Sequence, residues 1–167
     1  NSVAIGMTTK ASGTGSVAVG NTAQATNTST TAVGDGAKAT GISSSAFGQG
    51  ANASNSYAIA AGNGAQATNV YTSAFGYNAQ ATSNNGTAVG ANTTAVGQAF
   101  AGGNGAQATG NNSVAVGNGA QSSDGSATAV GDGAKATGYQ SSAIGNGAKA
   151  SRSNALAVGT SATATEI

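Results

Sequence analysis

The chain has 167 residues, of which 28 are Gly and 39 Ala; five are Lys or Arg and four Asp or Glu, giving a net charge of +1. With no His, Cys or Trp, imidazole bases, thiol nucleophiles, disulfides and the common transition-metal ligands are all missing, so no enzyme activity, cofactor or metal site is expected. The acids Asp35, Asp124, Asp132 and Glu166 are too sparse for a calcium array, the five cations are too few to neutralise a run of phosphates, and no apolar run nears the ~20 residues of a membrane helix.

From the first residues onward the chain repeats. A Gly closes each small-apolar motif at Gly6, Gly20, Gly34, Gly48, Gly62, Gly76, Gly90, Gly103, Gly117, Gly131, Gly145 and Gly159. Ten of these eleven spacings are 14; Gly90 to Gly103 is 13 and contains a decoy motif, Ala95-Val96-Gly97. The string from Val33 to Gly41 recurs verbatim from Val130 to Gly138, 97 residues on, which is seven periods less one residue.

Two places before each closing Gly stands Ala in all twelve repeats: Ala4, Ala18, Ala32, Ala46, Ala60, Ala74, Ala88, Ala101, Ala115, Ala129, Ala143 and Ala157. One place before it stand Ile5, Val19, Val33, Phe47, Phe75, Val89, Val116, Val130, Ile144 and Val158, with Ala61 and Gly102 as exceptions. This β-branched and aromatic column predicts a first strand. After the Gly, Ala-Gln-Ala-Thr or Ala-Lys-Ala-Thr, as in Ala65 to Thr68 and Ala37 to Thr40, alternates with period two and predicts a second, half-buried strand. Two four-residue strands and two three-residue turns sum to 14. Each repeat is therefore one coil of an all-β solenoid, with Gly and Asn or Asp where a turn needs positive φ, and the chain reads as one domain of about twelve coils over 1–167. A helix loses this comparison, because repeated Gly weakens it and a single Leu, Leu156, cannot supply a heptad seam.

The two strands predict different surroundings. In the second, Ala points inward while Gln or Lys and Ser or Thr point out. In the first, neither face carries charge, so one face fills the coil and the other needs a cover from outside the chain. A lateral homo-oligomer of closed symmetry is the simplest cover. The strand assigned to this role carries Ala4, Ile5, Ala18, Val19, Ala32, Val33, Ala88, Val89, Ala115, Val116, Ala129, Val130, Ala143 and Ile144.

Outward columns supply the candidate contact residues. Lys10, Lys38, Lys135 and Lys149 share one column, read either as a solubilising edge or as a weakly cationic stripe for an extended ligand. Tyr71 and Tyr77 flank one coil and are candidate contacts. A Ser/Thr column, Ser12, Thr26, Thr40 and onward to Thr165, leaves open an alternative, an ice- or surface-binding solenoid. Gly34-x-Gly36-x-x-Ala39 looks like a dinucleotide fingerprint, but its recurrence at Gly117, Gly131 and Gly145 reads as turn chemistry.

The strings Asn1-Ser2-Val3-Ala4-Ile5-Gly6, Ser16-Val17-Ala18-Val19-Gly20, Asn112-Ser113-Val114-Ala115-Val116-Gly117 and Ser142-Ala143-Ile144-Gly145 resemble the head repeats of trimeric autotransporter adhesins, the YadA-like head. The resemblance implies a left-handed parallel β-roll, three chains side by side as a homotrimer, and a passenger domain on the outer membrane surface of a Gram-negative bacterium. It further implies binding of host extracellular-matrix protein such as collagen, fibronectin or laminin, with membrane attachment only through a C-terminal anchor outside this chain, which is read as a piece of a longer protein. Departures from the pattern are the 13-residue coil, Ala61 and Gly102 in the bulky column, and polar Thr31, Ser45, Ser73, Thr87, Thr128 and Ser142 in the Val3 column.

Overall fold

Each 14-residue coil contains two sharp turns, and their backbone geometry explains why the chain cannot run straight. In the third coil Ala37 N donates to Gly34 O (3.2 Å) and Ser44 N donates to Gly41 O (3.2 Å), with positive φ at the third turn residue, Gly36 (66°) or Ser43 (54°). One left-handed residue at that position is the type II pattern. Gly34 itself sits at φ 136°, and a Cβ there would lie 2.5 Å from Gly48 O of the next coil, so no side chain fits. The third turn position is less restricted than the sequence suggests. Thr8, Thr22, Ser29, Ser43, Tyr57, Tyr71, Ser126, Gln140 and Ser161 occupy it with φ between 51° and 60°, as do Asn78, Asn85, Asn92, Asn112 and Asn154. An ordinary L residue pays about 1–2 kcal/mol for this conformation.

The computed structural model describes residues 1–165. Among them no helix occurs, and the strands form two compact units, one spanning Asn1–Asn85 and another beginning at Gly86. The first unit holds six coils among the described residues. Its first strands, Val3–Ile5, Val17–Val19, Thr31–Val33, Ser45–Phe47, Ile59–Ala61 and Ser73–Phe75, pair in parallel in chain order. Its second strands, Lys10–Ala11, Gln24–Ala25, Lys38–Ala39, Asn52–Ala53, Gln66–Ala67 and Gln80–Ala81, form a second parallel sheet.

The other unit repeats this plan in six coils among the described residues, with first strands from Thr87–Val89 to Leu156–Val158 and second strands from Thr94–Ala95 to Thr163–Ala164. Register partners are 14 residues apart except at the short coil, where Thr87 pairs Phe100 and Thr94 pairs Gln107. The missing residue therefore comes out of the turn after Val96. Asn111 mends the gap, its Oδ1 accepting from Gln98 N (3.3 Å).

The strands are shorter than the four residues expected, at three and two. The turn glycine bends the chain away after the first strand. Around the second, hydrogen bonds continue beyond its two residues, as Lys38 N donates to Ala51 O (2.8 Å) and Thr40 N to Ala53 O (3.0 Å).

The core is almost entirely alanine. Ala18, Ala32, Ala46, Ala60 and Ala74 from the first sheet face Ala23, Ala25, Ala37, Ala39 and the corresponding alanines of the inner coils, all 0% exposed, while Ala11, Ala162 and Ala164 in the end coils are half-buried. In such a thin interior the largest fully buried side chains are Thr30, Thr72, Thr93 and five serines. Several of these hydroxyls close their own turn: Thr30 Oγ1 donates to Asn27 O (2.7 Å), Ser44 Oγ to Gly41 O (2.7 Å) and Thr72 Oγ1 to Asn69 O (2.6 Å). Ser16 Oγ and Ser122 Oγ are buried without a partner.

Candidate functional site

With alanine filling the interior, the outward columns hold whatever can touch another molecule. In the first sheet the invariant Ala column points into the chain's own coil, so Ala18, Ala32, Ala88, Ala115, Ala129 and Ala143 are core residues. Only Ala4, in the first coil, is exposed. The residues on either side of that column face outward. Val33, Phe47, Ile59 and Phe75 in the first unit, and Val89, Phe100, Val116 and Ile144 in the other, are each 36–42% exposed. Ile5, Leu156 and Val158 are more exposed still, whereas Val19 and Val130 are half-buried.

Large and small residues trade places on this face, and the exchange accounts for the departures noted in the sequence. Phe47, Ala61 and Phe75 are register neighbours in the bulky column, and opposite Ala61 in the other column Ile59 stands between Ser45 and Ser73. In the short unit-two coil a Cβ on Gly102 would lie 3.0 Å from Phe100 Cε1, so the Phe100 ring occupies the space that the missing side chain leaves. Each coil thus keeps at least one large apolar group outward.

The second sheet presents polar groups. Lys10, Lys38, Lys135 and Lys149 are exposed, as the alternation predicts. Register places Lys10 and Lys38 on either side of Gln24 in the first unit, and Lys135 directly beside Lys149 in the other. At the ~4.8 Å separation of paired strands, two adjacent ammonium groups repel and attract an anion together. The Ser/Thr column also faces out, and Ser12 Oγ, Thr40 Oγ1 and Ser54 Oγ lie 3.4–3.5 Å from carbonyls of the next coil, Thr26 O, Ser54 O and Thr68 O.

Tyr71 and Tyr77 project from turns at opposite ends of the strand Ser73–Phe75, both exposed. The structure joins Tyr71 instead to Tyr57, with ring centroids 5.0 Å apart and planes 6° from parallel. Fourteen residues separate the two, so the period held this signal.

Among the described residues no group of three or more His, Cys, Asp or Glu is placed to hold a metal ion. Asp124 accepts from Gly125 N (2.7 Å) and Asp132 from Asn118 Nδ2 (3.3 Å), both within or between turns; Glu166 lies outside the described residues. Gly34 and Gly36 belong to a turn that leads into the strand Lys38–Ala39, with Ala39 in the core, so the apparent dinucleotide fingerprint is turn chemistry.

No curated protein sequence matches this chain. Among solved structures it is similar to the collagen-binding domain of the Yersinia adhesin YadA, at 23% identity over 99% of this chain and 76% of that one, with a TM-score of 0.38. The family model described as YadA head domain repeat (2 copies) matches residues 11–37, 39–65, 67–93, 98–120, 125–148 and 136–162. These matches cover most of the chain and skip residues 94–97, where the short coil loses its residue. In-register parallel coils and repeated family matches agree: the chain belongs to the YadA head domain repeat family.

Proposed function

We propose that this chain is the head of a homotrimeric adhesin on the outer membrane surface of a Gram-negative bacterium. In this reading it binds host extracellular-matrix proteins, with collagen, fibronectin and laminin as the first to test. The observation that carries the reading is the division of the outer surface. The first sheet exposes Val, Ile and Phe in coil after coil, whereas the second exposes Lys, Gln, Ser and Thr. An apolar face along each unit needs a cover, and copies of the same chain related by closed symmetry supply one without growing into fibres. The polar sheet then stays free for ligand, and membership of a family of adhesin head repeats supports the assignment.

Such a surface offers weak contacts repeated many times, and three chains convert them into avidity. Lys10, Lys38, Lys135 and Lys149 are the charged members of that array. Light scattering tests the assembly: a mass three times that of the chain is expected, and a folded monomer overturns the trimer. Solid-phase binding to the three matrix proteins tests the ligand class, with thermal hysteresis measured in parallel for the ice-binding alternative. Hysteresis without matrix binding would replace the adhesin reading. The hydroxyls of Ser12, Thr40 and Ser54 weigh against that outcome, since each leans toward a neighbouring carbonyl.

A further inference from the structure

The second-turn column of the first unit carries its left-handed residues in the order Gly15, Ser29, Ser43, Tyr57, Tyr71 and Asn85. Gly and Asn suit φ near +60°, whereas tyrosine adopts it at a cost. Tyr57 and Tyr71 accept this conformation at 60° and 57° and yet stay 51% and 58% exposed, so burial does not repay the strain. Ser29, Ser43 and Asn85 hold the same conformation in this column, so it belongs to the turn, and what sets the tyrosines apart is that two large rings stand exposed there. The rings stack on one another and still remain more than half exposed, which leaves ring surface open outside the stack.

Around this pair the turn residues are amides. Asn55 Oδ1 accepts from Ser56 N (3.2 Å), Asn84 Oδ1 accepts from Val70 N (3.3 Å) and Asn69 Nδ2 donates to Thr82 O (3.0 Å). Each has hydrogen-bonding capacity left over. No charged side chain lies in the coils that carry Tyr57 and Tyr71, the nearest along the stack being Lys38, which pairs Asn52, so the groups immediately beside the rings are neutral amides and hydroxyls suited to a neutral ligand.

We propose that the Tyr57–Tyr71 stack, with Asn55, Asn69 and Asn84 beside it, is a binding site for a neutral saccharide. The C–H face of a pyranose ring lies against the electron-rich face of a tyrosine, and its hydroxyls exchange hydrogen bonds with the amides. A proline-rich peptide fits less well, because it docks into grooves between aromatic side chains and two rings 5.0 Å apart leave no groove between them.

The test titrates the protein with lactose, N-acetyllactosamine and maltotriose while following the ring resonances of all four tyrosines. At least one sugar should shift Tyr57 and Tyr71 saturably at millimolar concentration and leave Tyr77 and Tyr139 unmoved. Tyr57→Asn and Tyr71→Asn should each weaken that binding at least tenfold without lowering the melting midpoint, because Asn85 already holds the same turn position in this column. The site is overturned if none of the three sugars gives a saturable shift, or if Tyr77 and Tyr139 respond equally. It is equally overturned if the Asn variants bind sugar as before, or if a Pro-Pro-Gly repeat peptide shifts the pair where the sugars do not.

Discussion

The two sheets of each coil share one interior and differ only outside. Both contribute alanine inward at 0% exposure, the first through columns such as Ala18 and Ala32, the second through Ala23, Ala25, Ala37 and Ala39. Outward, the first sheet carries Val33, Phe47 and Ile59 while the second carries Gln24, Lys38 and Gln66. A core this thin admits only small side chains, Ala, Ser and Thr, so the interior says only that the chain coils. Any difference in what the two faces can meet is written on the exterior, where volume and charge are free to change.

The largest effect is expected from charging the shared interior. Ala88→Lys together with Ala115→Lys places two ammonium groups where the wild-type side chains are fully buried, each costing several kcal/mol. Circular dichroism should show no cooperative melting of the second unit. A folded monomer would mean that this column lies at an interface instead of inside the coil.

Charging the outer face of the same sheet separates folding from assembly. Val33→Lys with Val116→Lys should change the stability of the isolated chain by no more than about 1 kcal/mol, since both sites are over one-third exposed. Light scattering should nonetheless report monomers, because in the proposed trimer the ammonium groups would meet across its axis. Persistence of the trimer would move the interface to another face.

Changes on the second sheet should be smaller and graded. Lys38→Ala or Lys135→Ala alone should weaken matrix binding only a few-fold. Replacing Lys10, Lys38, Lys135 and Lys149 together should lower avidity much further and flatten its salt dependence. Loss concentrated at one lysine, read by binding at two salt concentrations, would reject a distributed surface. The smallest effect concerns the two kinds of buried serine. Ser16→Ala removes an unpartnered hydroxyl and should leave stability unchanged or raise it by about 1 kcal/mol, whereas Ser44→Ala breaks the 2.7 Å bond to Gly41 O and should lower it by about 1 kcal/mol. Urea melts of the two variants make the comparison.

Much of the fold was legible because the period is short and its columns are nearly invariant. The spacing of the closing glycines identified the register even across the 13-residue coil, and the pairing of Thr87 with Phe100 follows from it. Less visible was which residues tolerate the left-handed turn: Thr8, Thr22, Tyr57 and Tyr71 go against intrinsic preference, and the hydrogen bonds between successive coils hold them there. The stacking of Tyr57 on Tyr71 was less visible for a related reason. Tyr71 and Tyr77 are close along the chain, but a three-residue strand separates them, while Tyr57 lies one coil away and in contact.

By itself the sequence determined the coil, its period, its alanine interior and the polar outward columns of the second strand, since all of these follow from local alternation and from glycine where a Cβ cannot fit. Tertiary structure alone decided which side chains meet across coils: Tyr57 on Tyr71, the Phe100 ring over the space at Gly102, and the exchange of large and small groups between Phe47, Ala61 and Ile59. Stacking brings residues a full period apart to within a strand spacing of ~4.8 Å, so such contacts depend on register in three dimensions and not on neighbourhood along the chain.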